Sequence, residues 1–148
     1  MIIEYQRLDE YVKIPTRSNP SDAGLDVYAN LREQVGIEPG ESVIIPTGLK
    51  FGIPHGYMLQ VMNRSSVAAK RSLMVGAHVI DSGYDGEVFI NLHNVGDKLQ
   101  WVRYGDKIAQ LVMVPVVTFR PQLIGEELYR QPITISDRGD GALGSTGT

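Results

Sequence analysis

Glycine and proline interrupt this chain at short intervals, and this punctuation limits the secondary structure that it can form. The 148 residues include 16 glycines and 8 prolines. Few windows carry a 3.6-residue apolar period, whereas short runs of Val, Ile and Leu between turn residues recur. The pattern predicts many short strands, packed as a sandwich, a jelly roll or a distorted barrel. No linker or repeat is visible, so we expect one all-β domain.

The apolar runs between the turn residues define the strands that we predict. Residues 65–71 are the only segment with helical character, and a serine is available as the N-terminal cap. Turns are predicted at residues 39–41 and 54–56. The predicted strands are residues 1–5, 11–14, 25–29, 42–45, 49–53, 57–62, 75–80, 88–90, 98–102 and 107–117.

Composition and charge exclude several classes of function. Hydrophobic residues make up 43% of the chain and charged residues 21%, as in ordinary soluble domains. The net charge of −3 gives no reason to expect binding to nucleic acid or to an anionic membrane. The absence of cysteine excludes disulfides and thiol catalysis, and the three histidines show no ligand spacing. With no apolar leader and no run of 18 apolar residues, we expect a cytoplasmic protein.

The stretch G-A-H-V-I-D-S-G-Y-D-G-E-V-F-I-N at residues 76–91 is the most informative part of the sequence. Two apolar runs flank a glycine-rich turn, which predicts a β-hairpin. Asp81 directly follows an apolar run, and Tyr84, Asp85 and Glu87 lie within the next six residues. So many polar side chains favour a pocket. The alternative, that Asp81 caps a surface turn and Tyr84 covers core, is equally compatible with the spacing.

Two further segments have the composition of anion-binding sites. Arg64, Ser65 and Ser66 open the predicted helix, where unpaired N–H groups and hydroxyls can meet phosphate, although a plain helix cap is an alternative. In the C-terminal tail, residues 138–148, four glycines surround Arg138 and a Ser-Thr pair. Such a loop can wrap an anion with its backbone N–H groups, although most glycine-rich termini are simply flexible.

Two single residues complete the set of candidates. Asp26, or Asp22 beside it, has the chemistry to hold a hydrated metal ion, although most such aspartates are turn residues. Gln110 lies in an otherwise apolar strand, so it is either structural or lines a pocket. A carboxylate, two arginines, several hydroxyls and an acid suited to magnesium together favour hydrolysis of a phosphoanhydride.

Five segments in this order resemble the motifs of the trimeric deoxyuridine triphosphatases (dUTPases). They are D-A-G-L-D-V-Y-A at 22–29, N-R-S-S-V-A at 63–68, G-A-H-V-I-D-S-G-Y-D-G at 76–86, G-D-K-I-A-Q-L at 105–111 and R-G-D-G-A-L-G-S-T-G at 138–147. Any one of them is weak, but five in order and at the usual intervals are specific.

The resemblance implies a fold, an assembly and a reaction. The fold would be a distorted jelly roll (β-clip) with one short helix, in which residues 1–137 form the domain and residues 138–148 a flexible closing motif. Three such subunits would form a homotrimer with active sites shared between chains. The enzyme would use Mg²⁺ to hydrolyse dUTP to dUMP and pyrophosphate, which limits uracil incorporation into DNA and supplies dUMP for dTMP synthesis.

The resemblance also implies roles for residues at matching positions. Asp81 would deprotonate the water that attacks the α-phosphorus and contact the 3′-OH, and Tyr84 would lie against the deoxyribose. Asp26 would contact Mg²⁺ through water, with the metal held mainly by the triphosphate. The main chain around His78, Val79, Ile80 and Phe89 would bind uracil; Arg64, Ser65, Ser66 and Gln110 would bind the phosphate chain; and Arg138, Leu143, Gly144, Ser145 and Thr146 would close over the nucleotide.

Three positions depart from the family pattern. Leu143 stands where many members carry an aromatic residue that stacks on uracil, so we expect weaker stacking. His78 replaces a common glycine, so either the backbone adjusts or the imidazole points away. The second motif reads R-S-S rather than R-S-G, which places Ser66 at a phosphate contact.

Two rival functions are also compatible with the sequence. A dCTP deaminase shares the fold and the trimer but uses a glutamate where this chain has Asn91, which cannot act as a general base; the same residue disfavours a bifunctional enzyme. A non-catalytic trimer that senses nucleotide or binds a partner would keep the pocket without turnover. All the expected catalytic residues are present, so nothing in the sequence supports this second alternative.

Overall fold

The chain folds into short antiparallel strands with one short helix. The computed structural model describes residues 1–125. The strands are β1 (Glu4–Arg7), β2 (Leu25–Tyr28), β3 (Val35–Ile37), β4 (Ser42–Pro46), β5 (Leu49–Gly52), β6 (Tyr57–Met62), β7 (Leu73–Val75), β8 (Val79–Ile80), β9 (Phe89–Asn94), β10 (Gln100–Val102) and β11 (Lys107–Pro115), and the helix is α1 (Ser65–Arg71). All of these elements lie in a unit of residues 1–117, and residues 118–125 have no regular structure.

Two sheets and two strand pairs make up the fold of residues 1–125. One sheet has the order β2-β11-β6-β8 and the other the order β4-β9-β7, while β1 pairs with β5 and β10 with β3. Every pairing is antiparallel, and within residues 1–125 no two paired strands are consecutive in sequence. The prediction of an all-β fold of the jelly-roll type with one short helix is confirmed. Within residues 1–125, no helix is long and apolar enough to cross a membrane.

Side chains from both sheets form a single apolar core. In β9 the side chains alternate strictly, with Ile90 and Leu92 fully buried and His93 on the opposite face. Asn94 continues the inward series and is also buried. Its amide donates to the carbonyls of Ile37 and Lys98, both at 2.8 Å. Because these hydrogen bonds satisfy the amide, its burial costs little folding free energy.

Several predicted boundaries agree with the structure, and some predictions were wrong. The bounds of β6 and α1 are as predicted, and the turn glycines Gly40 and Gly56 both have positive φ. Residues 11–14 form no strand, and the Tyr11 N–H donates to the Asp9 carboxylate at 2.8 Å rather than to a neighbouring strand. The predicted serine cap is also absent: Arg64 is the N-cap residue of α1 and makes no side-chain capping bond.

The central hairpin is paired differently from the prediction. The strands β8 and β9, which flank the glycine-rich turn, do not pair with each other. Instead β7 pairs with the end of β9. The two strands separate after Gly76, whose N–H donates to the Asn91 carbonyl at 2.9 Å. A Cβ on Gly76 would clash with the Asn91 and His93 side chains. From there β8 crosses to the edge of the other sheet, where Ile80 pairs with Leu59.

Candidate active site

A polar cavity lies where β2, β6 and β11 meet. Its volume is about 250 Å³. In the sheet, Gln110 lies opposite both Asp26 and Met62, the last residue of β6, so the register draws three separate sequence motifs to one place. The cavity is lined by Ser18, Asp22, Ala23, Gly24, Asp26, Arg64, Ser65, Ser66 and Gln110. The structure therefore brings together the residues predicted to bind phosphate and metal.

Asp26 is the buried charge of this polar cavity. The residue is 8% exposed, and its carboxylate lies between two cations. The Arg64 Nε donates to one oxygen at 2.9 Å, and the Lys107 Nζ lies 3.5 Å from the other. Within residues 1–125, the Arg64 guanidinium uses only Nε for hydrogen bonding, so its two terminal amino groups are available to an anion. Lys107 was not predicted as a site residue, although it lies within the G-D-K-I-A-Q-L motif.

Gln110 reaches the cavity because a glycine faces it. Its Nε2 donates to the Asn63 carbonyl at 2.9 Å, and its side chain is half-buried. A Cβ on Gly24 would lie 2.6 Å from the Gln110 Cδ and 2.9 Å from its Cβ, which is closer than side chains approach. Gly24 is therefore the residue that makes room for Gln110, a role that its place in the D-A-G-L-D motif does not reveal.

Ser65 and Ser66 occupy the first turn of α1 and are exposed. Neither hydroxyl caps the helix, and the first turn carries no acidic residue. The hydroxyls thus face the cavity as donors beside Arg64, without a competing negative charge on the same turn. This arrangement suits an anionic ligand better than the simple helix cap that was the alternative.

A second cavity, the loop cavity, lies beside the glycine-rich turn. Its volume is about 220 Å³, and Val79, Ile80, Asp81, Tyr84, Glu87, Val88 and Phe89 line it. Asp81 is exposed, and within residues 1–125 its carboxylate makes no hydrogen bond; the turn is closed by its main-chain carbonyl, which accepts from Tyr84 N at 3.1 Å. The alternative in which the Asp81 side chain caps the turn is therefore not observed.

Tyr84 lines the loop cavity and does not cover core. It is 44% exposed, and its hydroxyl donates to the Glu87 carbonyl at 2.6 Å. A Cβ on Gly86 would lie 2.7 Å from the ring, so the glycine is required for the ring to fold over the turn. Burial raises the pKa of the Glu87 carboxyl, and the negative charge of Asp9 adds to the effect.

Within residues 1–125 no strand pairs with the outer edge of β8, and this edge offers main-chain groups to the loop cavity. The His78 carbonyl accepts from Val61 N at 2.8 Å, and Ile80 pairs with Leu59, so both are committed to β6. Val79 lies between these positions and turns its N–H and C=O to the open side of the strand. The imidazole of His78 is exposed, with Nδ1 3.3 Å from the Val61 carbonyl, and does not line the loop cavity. It therefore points away, one of the two outcomes expected for this substitution.

The two cavities are far apart on one chain. Asp26 lies in register with Met62 across β11, whereas Asp81 is one residue beyond the Leu59–Ile80 pair. Three strand spacings of about 4.8 Å and four residues of about 3.3 Å place the α-carbons of Asp26 and Asp81 about 20 Å apart. The residues predicted for one site thus fall into two groups, and Arg138, Leu143, Gly144, Ser145 and Thr146 lie outside the described residues.

The donors of the polar cavity fit a hydrated magnesium ion better than a directly coordinated one. Within residues 1–125, no group of three or more His, Cys, Asp or Glu side chains could hold a metal. The Asp22 carboxylate accepts from Asn19 N at 2.9 Å, and Asp26 is paired with two cations. Mg²⁺ keeps several waters and commonly binds through substrate phosphates and one or two carboxylates. The donor set suits such an outer contact.

Sequence comparisons match this chain to proteins of one family along nearly its whole length. A sequence model of the dUTPase family matches residues 10–147. The deoxyuridine 5'-triphosphate nucleotidohydrolase of Desulfitobacterium hafniense is 40% identical over 148 residues, covering 98% of this chain and 94% of that protein. The enzyme of the same name from Gloeobacter violaceus is 39% identical over 147 residues, covering 98% and 96%.

Solved structures give the same assignment. A mutant dUTPase of Staphylococcus bacteriophage 80alpha with dUpNHpp has a TM-score of 0.83 and 26% identity, and covers 99% of both chains. The dUTPase from phage phi11 of S. aureus has a TM-score of 0.78 and 28% identity, covering 85% of this chain and 97% of that one. Together with the motifs that line the two cavities, these matches show that the chain belongs to the dUTPase family.

Proposed function

We propose that the protein is a dUTP diphosphatase, which hydrolyses dUTP to dUMP and pyrophosphate and so limits uracil incorporation into DNA. The observation that carries this proposal is the exposed Asp81 carboxylate, which lies in the loop cavity beside the open main-chain edge at Val79. A base and a planar hydrogen-bonding edge in one cavity suit a nucleotide whose phosphate is attacked by water. The family membership of the chain agrees with this chemistry.

Asp81 takes the role of general base. Its carboxylate would accept a proton from a water held within about 2.6–3.2 Å, while the water oxygen bonds to the α-phosphorus. The bond from that phosphorus to the bridging oxygen breaks, and pyrophosphate leaves with the electron pair. The Tyr84 ring, held over the turn by Gly86 and Glu87, would lie against the deoxyribose. Main-chain groups at Val79 and Phe89 would bind the uracil edge.

The polar cavity takes the phosphate chain. Arg64 would meet the leaving pyrophosphate with its two terminal amino groups, while Ser65, Ser66 and Gln110 donate further hydrogen bonds. Because the leaving group is a polyanion, catalysis depends chiefly on positioning and charge stabilisation. The tail, residues 138–148, would close over the nucleotide through Arg138, Leu143, Gly144, Ser145 and Thr146, and complete the exclusion of water.

Asp26 would hold magnesium through water. When bound with the triphosphate, Mg²⁺ would supply positive charge to the phosphate oxygens. The protein's part would be to orient the waters of that ion by one Asp26 oxygen. The Arg64 and Lys107 contacts hold this carboxylate in place.

We also propose that the active site is shared between subunits of a homotrimer. The two cavities lie about 20 Å apart on one chain and toward opposite edges of the sheet, since Asp26 belongs to β2 and Asp81 follows β8. The Arg64 side chain extends toward β2, further from Asp81. A single triphosphate would therefore be held by the loop cavity of one subunit and the polar cavity of its neighbour.

The proposal is tested with a panel of nucleotides and identified products. With Mg²⁺, the protein should release pyrophosphate much faster from dUTP than from dTTP, dCTP or UTP. Ammonia from dCTP would instead indicate a deaminase, and tight binding without products would indicate a sensor. The structure disfavours the deaminase, because the Asn91 amide donates to the Val43 carbonyl at 3.2 Å and its oxygen lies 2.8 Å from His93 Nε2.

Asp81→Asn should abolish turnover while leaving the affinity for a non-hydrolysable dUTP analogue largely intact, because the amide keeps the shape but cannot accept the proton. Asp97→Asn makes the same change on an exposed aspartate outside both cavities and serves as the control. An undiminished rate in Asp81→Asn would remove this residue from the mechanism.

A further inference from the structure

The corner between β4 and β5 holds one end of the loop that carries Asp81. Thr47 in this corner is 1% exposed, and its hydroxyl donates to the Val88 carbonyl at 2.6 Å. The Thr47 N–H donates to the same carbonyl at 3.2 Å, and the Val88 N–H donates to the Leu49 carbonyl at 2.8 Å. The Thr47 hydroxyl also accepts from Leu49 N at 3.2 Å. Val88, the residue that ends the loop, is thus fixed within a hydrogen-bond network that is built around one buried hydroxyl.

A second contact from the same corner reaches the tip of the loop. Lys50 Nζ lies 2.7 Å from the Asp85 carboxylate. The other end of the loop is fixed by β8, which pairs with β6 through Ile80. Residues 81–87 are therefore held at both ends by the sheets and at the tip by an ion pair. Asp81 makes no side-chain hydrogen bond within residues 1–125, so its position depends on how the loop is held.

We infer that Thr47 and Lys50 are positioning residues for the hydrolysis reaction, acting through the loop on Asp81 and Tyr84. The inference rests on the proposed function. Thr47 sets the end of the loop, and Lys50 sets its tip. Neither residue lines the loop cavity or the polar cavity, so each would act through the loop. A displacement of about 1 Å at a reacting group can cost roughly 100-fold in rate, so a small shift of the loop is enough to matter.

The test compares the buried hydroxyl with a matched change elsewhere in the core. Thr47→Val keeps the shape and removes the hydroxyl; Thr47→Ser keeps the hydroxyl. Ile37→Val removes one methyl group from a fully buried side chain in β3, outside the contacts of the loop. With dUTP and Mg²⁺, kcat of Thr47→Val should fall roughly 10-fold with KM within about 2-fold, because the displaced Asp81 acts in the chemical step, whereas Val79 is held by the pairing of β8 with β6. Thr47→Ser and Ile37→Val should stay within about 2-fold of wild type in kcat.

The ion pair between Lys50 and Asp85 allows an independent test of the inference with substitutions on the surface. Lys50→Met and Asp85→Asn should each lower kcat a few-fold, and the double variant should lower it no further, because both remove one interaction. The wild-type rate should fall toward the rate of Lys50→Met as salt is raised. If Thr47→Val did not fold, this cycle would still decide the question.

The outcomes separate the inference from the function on which it rests. A wild-type protein that releases no pyrophosphate from dUTP contradicts the proposed function, and the inference with it. If wild type is active, an unchanged kcat in both Thr47→Val and Lys50→Met overturns the inference alone. The inference is also overturned if Thr47→Val and Ile37→Val lose rate equally, since that would reflect stability, or if only KM changes.

Discussion

Adding a single methyl group at Gly24 should lower activity by disturbing the polar cavity while leaving the protein folded. Its backbone φ is not in the positive range, so alanine is compatible with the local conformation. The obstacle is the Gln110 side chain, whose Cδ and Cβ would lie 2.6 Å and 2.9 Å from the new methyl carbon. Ordinary contact begins at 3.4 Å, so the amide carbon must move by at least 0.8 Å and the β-carbon by 0.5 Å. The amide oxygen would lie closer still and must move further. The first movement is a rotation, whereas the second shifts strand β11.

The expected cost follows from these two movements. Rotation of the amide breaks the hydrogen bond from Gln110 to the Asn63 carbonyl, worth about 1 kcal/mol. Forcing a methyl group into a packed contact costs about 1–3 kcal/mol. Gly24→Ala should therefore lose about 2–4 kcal/mol of unfolding free energy, which lowers Tm by about 5–15 °C for a chain of this size. Because Gln110 leaves the polar cavity, kcat/KM for dUTP should fall at least roughly 10-fold.

Calorimetry and pyrophosphate release measure the two effects separately. Gly52→Ala is the control, since its new methyl would meet only the Glu4 carbonyl at 3.7 Å, an ordinary contact. Adding Gln110→Ala to Gly24→Ala should recover part of the lost stability, because the amide no longer clashes, but none of the lost activity. If Gly24→Ala matches Gly52→Ala in both Tm and kcat/KM, the close packing of residues 24 and 110 does not control the site.

Two further predictions address the assembly and the loop cavity. Two inactive variants, Asp81→Asn and Arg64→Met, are mixed, unfolded and refolded together, and pyrophosphate release should return. Some shared sites then receive an intact loop from one chain and an intact polar cavity from the other. If no activity returned, the site would lie within one chain. The raised pKa of Glu87, caused by burial and then by the charge of Asp9, means that the folded protein binds this proton more tightly than the unfolded chain. Its contribution to stability is complete below the ordinary value of 4.5 and is lost as the pH rises through the raised value. Glu87→Gln should flatten that decline in unfolding free energy, measured in urea from about pH 4 to about pH 7; an unchanged slope would show that Glu87 is not the group responsible.

The elements that sequence predicted well are those bounded by strong local signals. The turn at residues 54–56 ends in Gly56, whose positive φ excludes most other residues, so β6 begins where expected. The helix Ser65–Arg71 follows the end of β6 and carries its basic residues in the last turn. The prediction of its N-terminal cap was wrong because Arg64, rather than a serine, occupies the capping position.

Local sequence patterns could not predict which strands pair with each other. The strand β8 has only two residues, and nothing in its sequence says that it belongs to β6 rather than to β9. The strand β3 contains Gly36, which is typical of a turn but lies against the Trp101 ring of β10, where a Cβ would be 3.2 Å away. In both cases the partner strand decides the structure, and that partner is distant in sequence.

The candidate site shows the same division between motif and contact. Family resemblance located Asp26, Arg64 and Gln110, and the structure places them around one cavity. The resemblance did not identify Lys107 or Thr47 as site residues, because each acts through a contact with a group that is distant in sequence. A motif marks the groups that meet the ligand, whereas the groups that hold them become visible only with the fold.

Separation of the two cavities links catalysis to assembly. Each chain builds both halves, since β2, β6, β8 and β11 form one sheet, yet that same sheet keeps the halves about 20 Å apart. Bringing them together within one chain would require β8 to leave β6 and would break the pairs at Leu59 and Gln60. A neighbouring copy can supply the missing half without any such loss. On this proposal, the edge position of β8, which sequence did not predict, is the feature that makes the isolated subunit inactive and the assembly active.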